Sequence, residues 1–134
     1  MDIEISKFQE AGYWPVVDYM DWRVAVLNYC EELEIDNITS MQKHMETDEV
    51  FVLLQGDCTL FTAGDYEGVG EIKAWHMEPC KIYNIKKGVW HTHTLAKNTS
   101  VLIVENRTTG DHNSPIINLS QLDKIGLRNS AFIV

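Results

Sequence analysis

The sequence predicts an all-β protein, an antiparallel sandwich or barrel, and three observations predict it. Short segments rich in β-branched and aromatic residues follow one another closely, each ended by a turn signal. Two of them flank Gln55-Gly56-Asp57, the composition of a tight hairpin turn. No long amphipathic helix lies between the segments, which argues against an α/β fold.

The elements follow in chain order. Residues 22–29 (WRVAVLNY) are the first expected strand, because β-branched and aromatic side chains suit a pleated, half-buried surface. Residues 50–54 and 58–62 are the arms of the hairpin. Residues 63–70 hold Gly64, Gly68 and Gly70 with two acids and read as a mobile loop. Further strands are expected at 72–75, 81–85, 91–95 and 100–106. Ser120 can cap a short helix over 121–127, since its hydroxyl can accept from an otherwise unpaired first-turn N–H. The apolar tail Ala131-Phe132-Ile133-Val134 is expected to pack onto the barrel or a second subunit. No repeat or composition break divides the chain, so one domain over 1–134 is expected.

Composition narrows the function. At 134 residues the chain suits a single core, and a domain of this size buries roughly two-thirds of its unfolded surface. A hydrophobic content of 45%, with four Trp, five Tyr and four Phe, is that of an ordered protein. A formal charge of -9 argues against nucleic acid, whose phosphates call for concentrated Lys and Arg. The small basic cluster Lys81, Lys86 and Lys87 is expected at a solvated rim, where it could attract a small anion. No apolar run is long enough for a membrane span and the first residues lack a signal pattern, so the cytoplasm is the expected compartment. Cys30, Cys58 and Cys80 are an odd number without close metal spacing, and they read as buried thiols rather than disulfides or catalysts.

Two patterns carry the chemistry. In HMETDEVFVLLQG, four residues separate His44 from Glu49 and six separate Glu49 from Gly56. Downstream, Lys86-Lys87-Gly88-Val89-Trp90-His91 places a tight glycine turn ahead of a histidine that opens a strand. The first resembles the first motif of the cupin superfamily and the second resembles its second motif, over roughly residues 42–91. The resemblance implies a double-stranded β-helix, the cupin jelly-roll barrel, with a short C-terminal helix and a motif core at about 22–107. It also implies a metal site where the two motifs meet. The chain departs from the pattern at Gln42, where the motif carries a further histidine, and at Asp36, Cys80, Lys86 and Leu95.

Alternation along a strand points Gln42 with His44, and His91 with His93. The resemblance then gives Gln42, His44, Glu49 and His91 as ligands of one divalent metal. Imidazole nitrogen and carboxylate oxygen suit zinc, iron, nickel or manganese, with zinc bonds of about 2.0 to 2.2 Å. Gln42-Lys43-His44 also resembles phosphomannose isomerases of the same superfamily, whose zinc is held by a glutamine, two histidines and a glutamate. His93 is the alternative donor, a second imidazole from the strand of His91, or else a catalytic acid or base. Trp90, Tyr83, Glu105 and Arg107 are weaker candidates, with Glu105 and Arg107 equally readable as an exposed pair. Asp48 is expected on the opposite strand face from Glu49.

Three function classes follow from this reading. The first is a metal-dependent enzyme of isomerase, lyase or dioxygenase type acting on a small polar or sugar-like substrate. The second is a metal-free isomerase resembling the sugar-nucleotide enzymes of this fold, with His44 or His93 as base. The third is a non-catalytic barrel that binds a small-molecule ligand, with an apolar edge able to form a homodimer. No Gly-X-Ser-X-Gly elbow, phosphate-binding glycine loop, dinucleotide fingerprint or His-Glu-X-X-His helix is present.

Overall fold

A computed structural model describes residues 2–132. Its strands are β1 (Gly12–Tyr19), β2 (Trp22–Asn28), β3 (Ser40–Gln42), β4 (Glu49–Gln55), β5 (Cys58–Thr62), β6 (Lys73–His76), β7 (Tyr83–Ile85), β8 (His91–Leu95), β9 (Ser100–Asn106) and β10 (Ile116–Asn118). One helix, α1 (Gln121–Ala131), follows. The strands make two antiparallel five-stranded sheets, ordered β1-β2-β9-β4-β7 and β10-β3-β8-β5-β6. This is a jelly roll.

The hairpin expected around Gln55-Gly56-Asp57 joins β4 to β5. Gly56 takes φ +85, and a Cβ there would meet Thr99 Oγ1 at 2.2 Å and Thr99 Cα at 2.6 Å. Only glycine lets the turn and the Thr99 backbone approach this closely. Strands β8 and β9 match their expected limits, whereas β6 runs one residue later and β7 starts two residues later than expected. β1 and β10 were not foreseen, and β3, which was given no bounds, ends at Gln42, short of the strand through His44 that the alternation assumed. β1 carries Pro15 at a register shift against β2, and β3 and β10 are three-residue segments that pair with each other. Segments so short, or broken by proline, give no alternating pattern to read.

α1 is a turn longer than expected. It opens with a reciprocal capping box, the Asp123 N–H donating to Ser120 Oγ and the Ser120 N–H to Asp123 Oδ2, both at 3.0 Å. It lies over the outer face of the second sheet, where Ile38, Met41, Phe61, Ala63, Trp90, Leu119 and Leu127 form one apolar cluster. That sheet is therefore covered on both faces, which explains the unbroken Leu60-Phe61 pair in β5: Leu60 faces the first sheet and Phe61 the helix side. Of the apolar tail, Ala131 packs against this cluster and Phe132 is 79% exposed, while Ile133 and Val134 lie outside the described residues. Among the described residues no helix is long and apolar enough to cross a membrane.

Between the sheets the inward side chains form layers. Register places Ala25 opposite Ile103 and Ile103 opposite Phe51; Leu27, Val101 and Leu53 make the next layer, closed by Leu95 of β8. Toward the other end of the same strands the inward positions turn polar, with Arg23 opposite Glu105, and Glu49 and His91 opening β4 and β8. Each strand thus runs from an apolar floor to a polar mouth.

Candidate metal centre in the barrel

The polar layer brings together the two ends of the motif region. His44 Nε2 and His91 Nε2 each lie 3.1 Å from the same oxygen, Glu49 Oε1, and all three residues are buried. The imidazole centroids are 5.0 Å apart. One ligand atom from each of the three lies within 4.8 Å of the others. The glycine turn before β8 is tied to the first motif directly, the Gly88 N–H donating to the His44 carbonyl at 2.8 Å.

The far nitrogen of each ring is fixed. His91 Nδ1 donates to the Val89 carbonyl at 3.0 Å, since a carbonyl can only accept. Ser114 Oγ donates to Asn113 Oδ1 at 3.1 Å, so its short 2.7 Å contact with His44 is donation from Nδ1. With Nδ1 protonated in both rings, a neutral imidazole turns the lone pair of Nε2 toward the Glu49 carboxylate. Three lone pairs meeting at one point repel unless a proton or a cation lies between them. This orientation by partners behind the rings is the arrangement that metal-binding histidines use.

Charge balance follows the same geometry. Burial opposes ionisation of Glu49, but the hydrogen bonds and charge of the two histidines outweigh it and hold the carboxyl well below its ordinary value. Burial likewise opposes a charged His44, yet the Glu49 hydrogen bond and charge raise its pKa.

Gln42 and His93 line the same cavity, of about 490 Å³, and His93 is not among the residues whose ligand atoms cluster. Gln42 is paired with His91 across β3 and β8, and its Nε2 donates to the Ser114 carbonyl at 3.0 Å, which leaves the amide oxygen for a ligand. His93 sits one layer deeper, its ring centroid 5.6 Å from that of Phe51. Its Nδ1 is cut off from solvent and has no protein partner. Burial, then the charge of His91, pushes His93 down to about 4, so it is neutral at neutral pH.

A second polar group backs the first. Arg23 Nη2 donates to Glu105 Oε1 at 2.8 Å and to the Thr109 carbonyl at 3.1 Å, and the Tyr13 hydroxyl donates to the same Glu105 oxygen. Glu105 lies on the strand beside that of Glu49, close enough for the two carboxyls to influence each other's ionisation. Burial and the Glu49 contact raise Glu105 despite the opposing pull of Tyr13 and Arg23. Glu105 is therefore buried and paired with Arg23, not exposed and paired with Arg107, whose contact is Asp18 at 3.7 Å. Tyr13 and Arg23 were missed from the sequence. For Arg23, the alternation Arg23, Ala25, Leu27 was the readable signal, since it puts a charge on a core face.

The other sequence candidates fall elsewhere. Asp48 does face away from the cavity, accepting from Lys86 Nζ and the Lys87 N–H, each at 2.8 Å. Trp90 belongs to the outer cluster under α1, and Tyr83 accepts from the Glu78 N–H. Cys58 is buried, and that burial pushes its thiol up to about 12, but Cys30 is half-buried and Cys80 exposed.

No family model matches the sequence, and no curated protein matches it. Solved structures match the fold. A cupin-2 domain protein from Shewanella frigidimarina is 21% identical at a TM-score of 0.52, over 75% of this chain and 85% of its own. The QdtA 3,4-ketoisomerase from Thermoanaerobacterium thermosaccharolyticum, solved in complex with TDP, is 17% identical at a TM-score of 0.56, over 69% of this chain and 64% of its own. Streptomyces PAC13, solved with uridine, is 7% identical at a TM-score of 0.58, over 85% and 84%. These likenesses, with the two-sheet topology, establish that the chain has the cupin jelly-roll fold.

Proposed function

We propose that this chain, as one domain over residues 1–134, is a metal-dependent cupin-fold enzyme acting on a small polar or sugar-like substrate. The observation that carries the reading is the convergence of His44 Nε2 and His91 Nε2 on one oxygen of buried Glu49, with both Nδ1 atoms committed behind. Nitrogen and carboxylate donors fit zinc, iron, nickel or manganese, and His44, Glu49 and His91 would hold the ion, with the Gln42 amide oxygen as fourth donor. Such an ion supplies Lewis acidity toward a substrate carbonyl or hydroxyl.

The chain's own groups do the rest. Ser114 and the Val89 carbonyl hold the imidazoles in one tautomer and one orientation. Leu27, Leu33, Phe51 and Ile103 keep the cavity floor dry, which strengthens every polar contact made above it. His93, which lines the cavity and is held neutral by burial, would serve as the base that accepts a proton from a bound substrate. Isomerase, lyase and dioxygenase chemistry all suit this arrangement.

A second reading draws on the same His93. A neighbour named as a 3,4-ketoisomerase and solved with TDP, and another solved with uridine, motivate the reading of a metal-free isomerase of the sugar-nucleotide type, in which His93 would be the base. Elemental analysis of protein purified without tag or chelator, beside His44→Ala, separates the two. Near-stoichiometric metal that is lost in the variant supports the first. No metal, even after reloading with iron, zinc, nickel and manganese, rejects it in favour of the second.

A further inference from the structure

The two sheets are not hydrogen-bonded to each other at their β6 and β7 edges, and a cleft of about 520 Å³ opens there. It shares no lining residue with the barrel cavity. Its floor is apolar, from Leu60, Ile85 and Val89. Two aromatic side chains stand at its walls while remaining largely in solvent, Tyr66 at 65% exposure and Trp75 at 49%.

Both rings are fixed. In the loop after β5, a Cβ on Gly64 would come within 2.6 Å of Tyr66 Cε2, and one on Gly70 within 2.7 Å of Tyr66 Cδ2. The Tyr66 ring thus packs against two residues that have no side chain. The Gly70 N–H closes the loop on the Ala63 carbonyl at 2.9 Å, and the Tyr66 carbonyl accepts from Trp90 Nε1 at 2.8 Å and from Lys43 Nζ at 3.2 Å. The segment expected to be a mobile loop is tied down at both ends and at its middle. Trp75 Nε1 donates to Thr62 Oγ1 at 2.9 Å, which sets the indole plane. Exposed aromatics normally gain little by being held still; held rings beside an apolar floor are the composition of a ligand pocket.

Charge completes the cleft. Lys73 lies opposite Thr62 in the β5–β6 register, and Lys86 reaches the rim, where it also meets Asp48 at 2.8 Å. Glu71 is the single acid among the lining residues. Among the described residues Lys73 makes no ion pair, in a protein whose formal charge is -9. Lys73 is thus the cation in the lining that is left for an anion to meet.

We propose that this cleft is a second ligand site, separate from the barrel, for a flat-ringed organic anion whose ring packs against Tyr66 and Trp75 and whose acid group meets Lys73. An aromatic carboxylate and a nucleoside phosphate both have this chemistry. The test is amide and indole NMR of the full chain titrated with indole-3-acetate and with adenosine monophosphate, each compared with its neutral counterpart, indole or adenosine.

Saturable shifts at the Trp75 indole and the Tyr66 and Lys73 amides, with the anion bound more tightly than its neutral counterpart, support the site, and whichever anion binds names the source. Lys73→Glu should weaken that anion about tenfold while the rest of the spectrum shows an intact fold, and Tyr66→Ala should do likewise. His44→Ala should leave cleft binding unchanged, which keeps this result independent of the barrel. No saturable shift, shifts only around His91 and His93, equal binding of the neutral molecule, or full affinity in Lys73→Glu overturns the proposal.

Discussion

Glu49 and Glu105 are both 6% exposed and both on inward positions of neighbouring strands, yet their surroundings drive them in opposite directions. Glu49 receives two imidazoles and is held as the carboxylate. Glu105 receives a guanidinium and a phenol, but burial, and then the ionised carboxylate beside it, raise its pKa. Burial disfavours charge at both sites, and the partner that ionises first decides which of the two keeps its charge. The comparison teaches that a buried acid cannot be assigned a role from its strand position alone.

The sharpest way to break this comparison is to neutralise each acid in the metal-free protein. Glu49→Gln should lose on the order of 3 kcal/mol in urea unfolding at pH 6, because two buried imidazoles lose their carboxylate. Glu105→Gln should lose less than Glu49→Gln, since burial and the neighbouring Glu49 raise the Glu105 pKa whereas the Glu49 pKa is lowered. Equal losses would show that Glu105 is charged in the native protein. Arg23→Met should fall between them, at about 2 kcal/mol, as Glu105 and the Thr109 carbonyl lose a shared donor.

The pH profile sharpens the same contrast. Glu49 is lowered, so its contribution is present above the ordinary carboxylate value of 4.5 and is lost as pH falls through its folded pKa. His44 is raised, so its contribution is full below the ordinary imidazole value of 6.5 and is lost as pH rises through its folded pKa. Unfolding of the metal-free protein should therefore show the largest wild-type advantage over Glu49→Gln between pH 4.5 and 6.5. Loading with metal should move that maximum to higher pH, because an ion needs the imidazoles deprotonated. A profile unchanged by metal would place the ion elsewhere.

His93 gives a smaller effect of one sign. Its pKa is lowered to about 4 from 6.5, so its contribution is present above 6.5 and declines as pH falls toward 4. His93→Gln should flatten that slope alone. Smallest is Asp48, lowered to about 2 from 3.8 by Lys86, the Lys87 N–H and Asn84. On so exposed a group the change is best followed by carboxyl NMR, where Lys86→Met should bring the Asp48 titration back toward 3.8.

The legible parts of the molecule are those whose cause is local. Gly56 was readable because a hairpin turn at φ +85 requires a glycine wherever it occurs. His44, Glu49 and His91 were readable because the stretches that hold them resemble the two cupin motifs. β3 and β10 were not, because three-residue strands exist only through each other's hydrogen bonds. The Tyr66 loop looked mobile from its glycines, when two of those glycines are what the tyrosine ring packs on.

By itself, then, the sequence determined an all-β fold, its central hairpin and the capped helix, and its resemblance to the cupin motifs singled out Glu49 and the two histidines, His44 and His91, that converge on its Oε1. Tertiary structure alone decided what surrounds them. Ser114 reaches His44 across 70 residues and Arg23 reaches Glu105 across 82, through a sheet register that no short pattern encodes. Turn chemistry acts over a few neighbouring residues, while the charge state of a buried glutamate depends on every strand that packs around it.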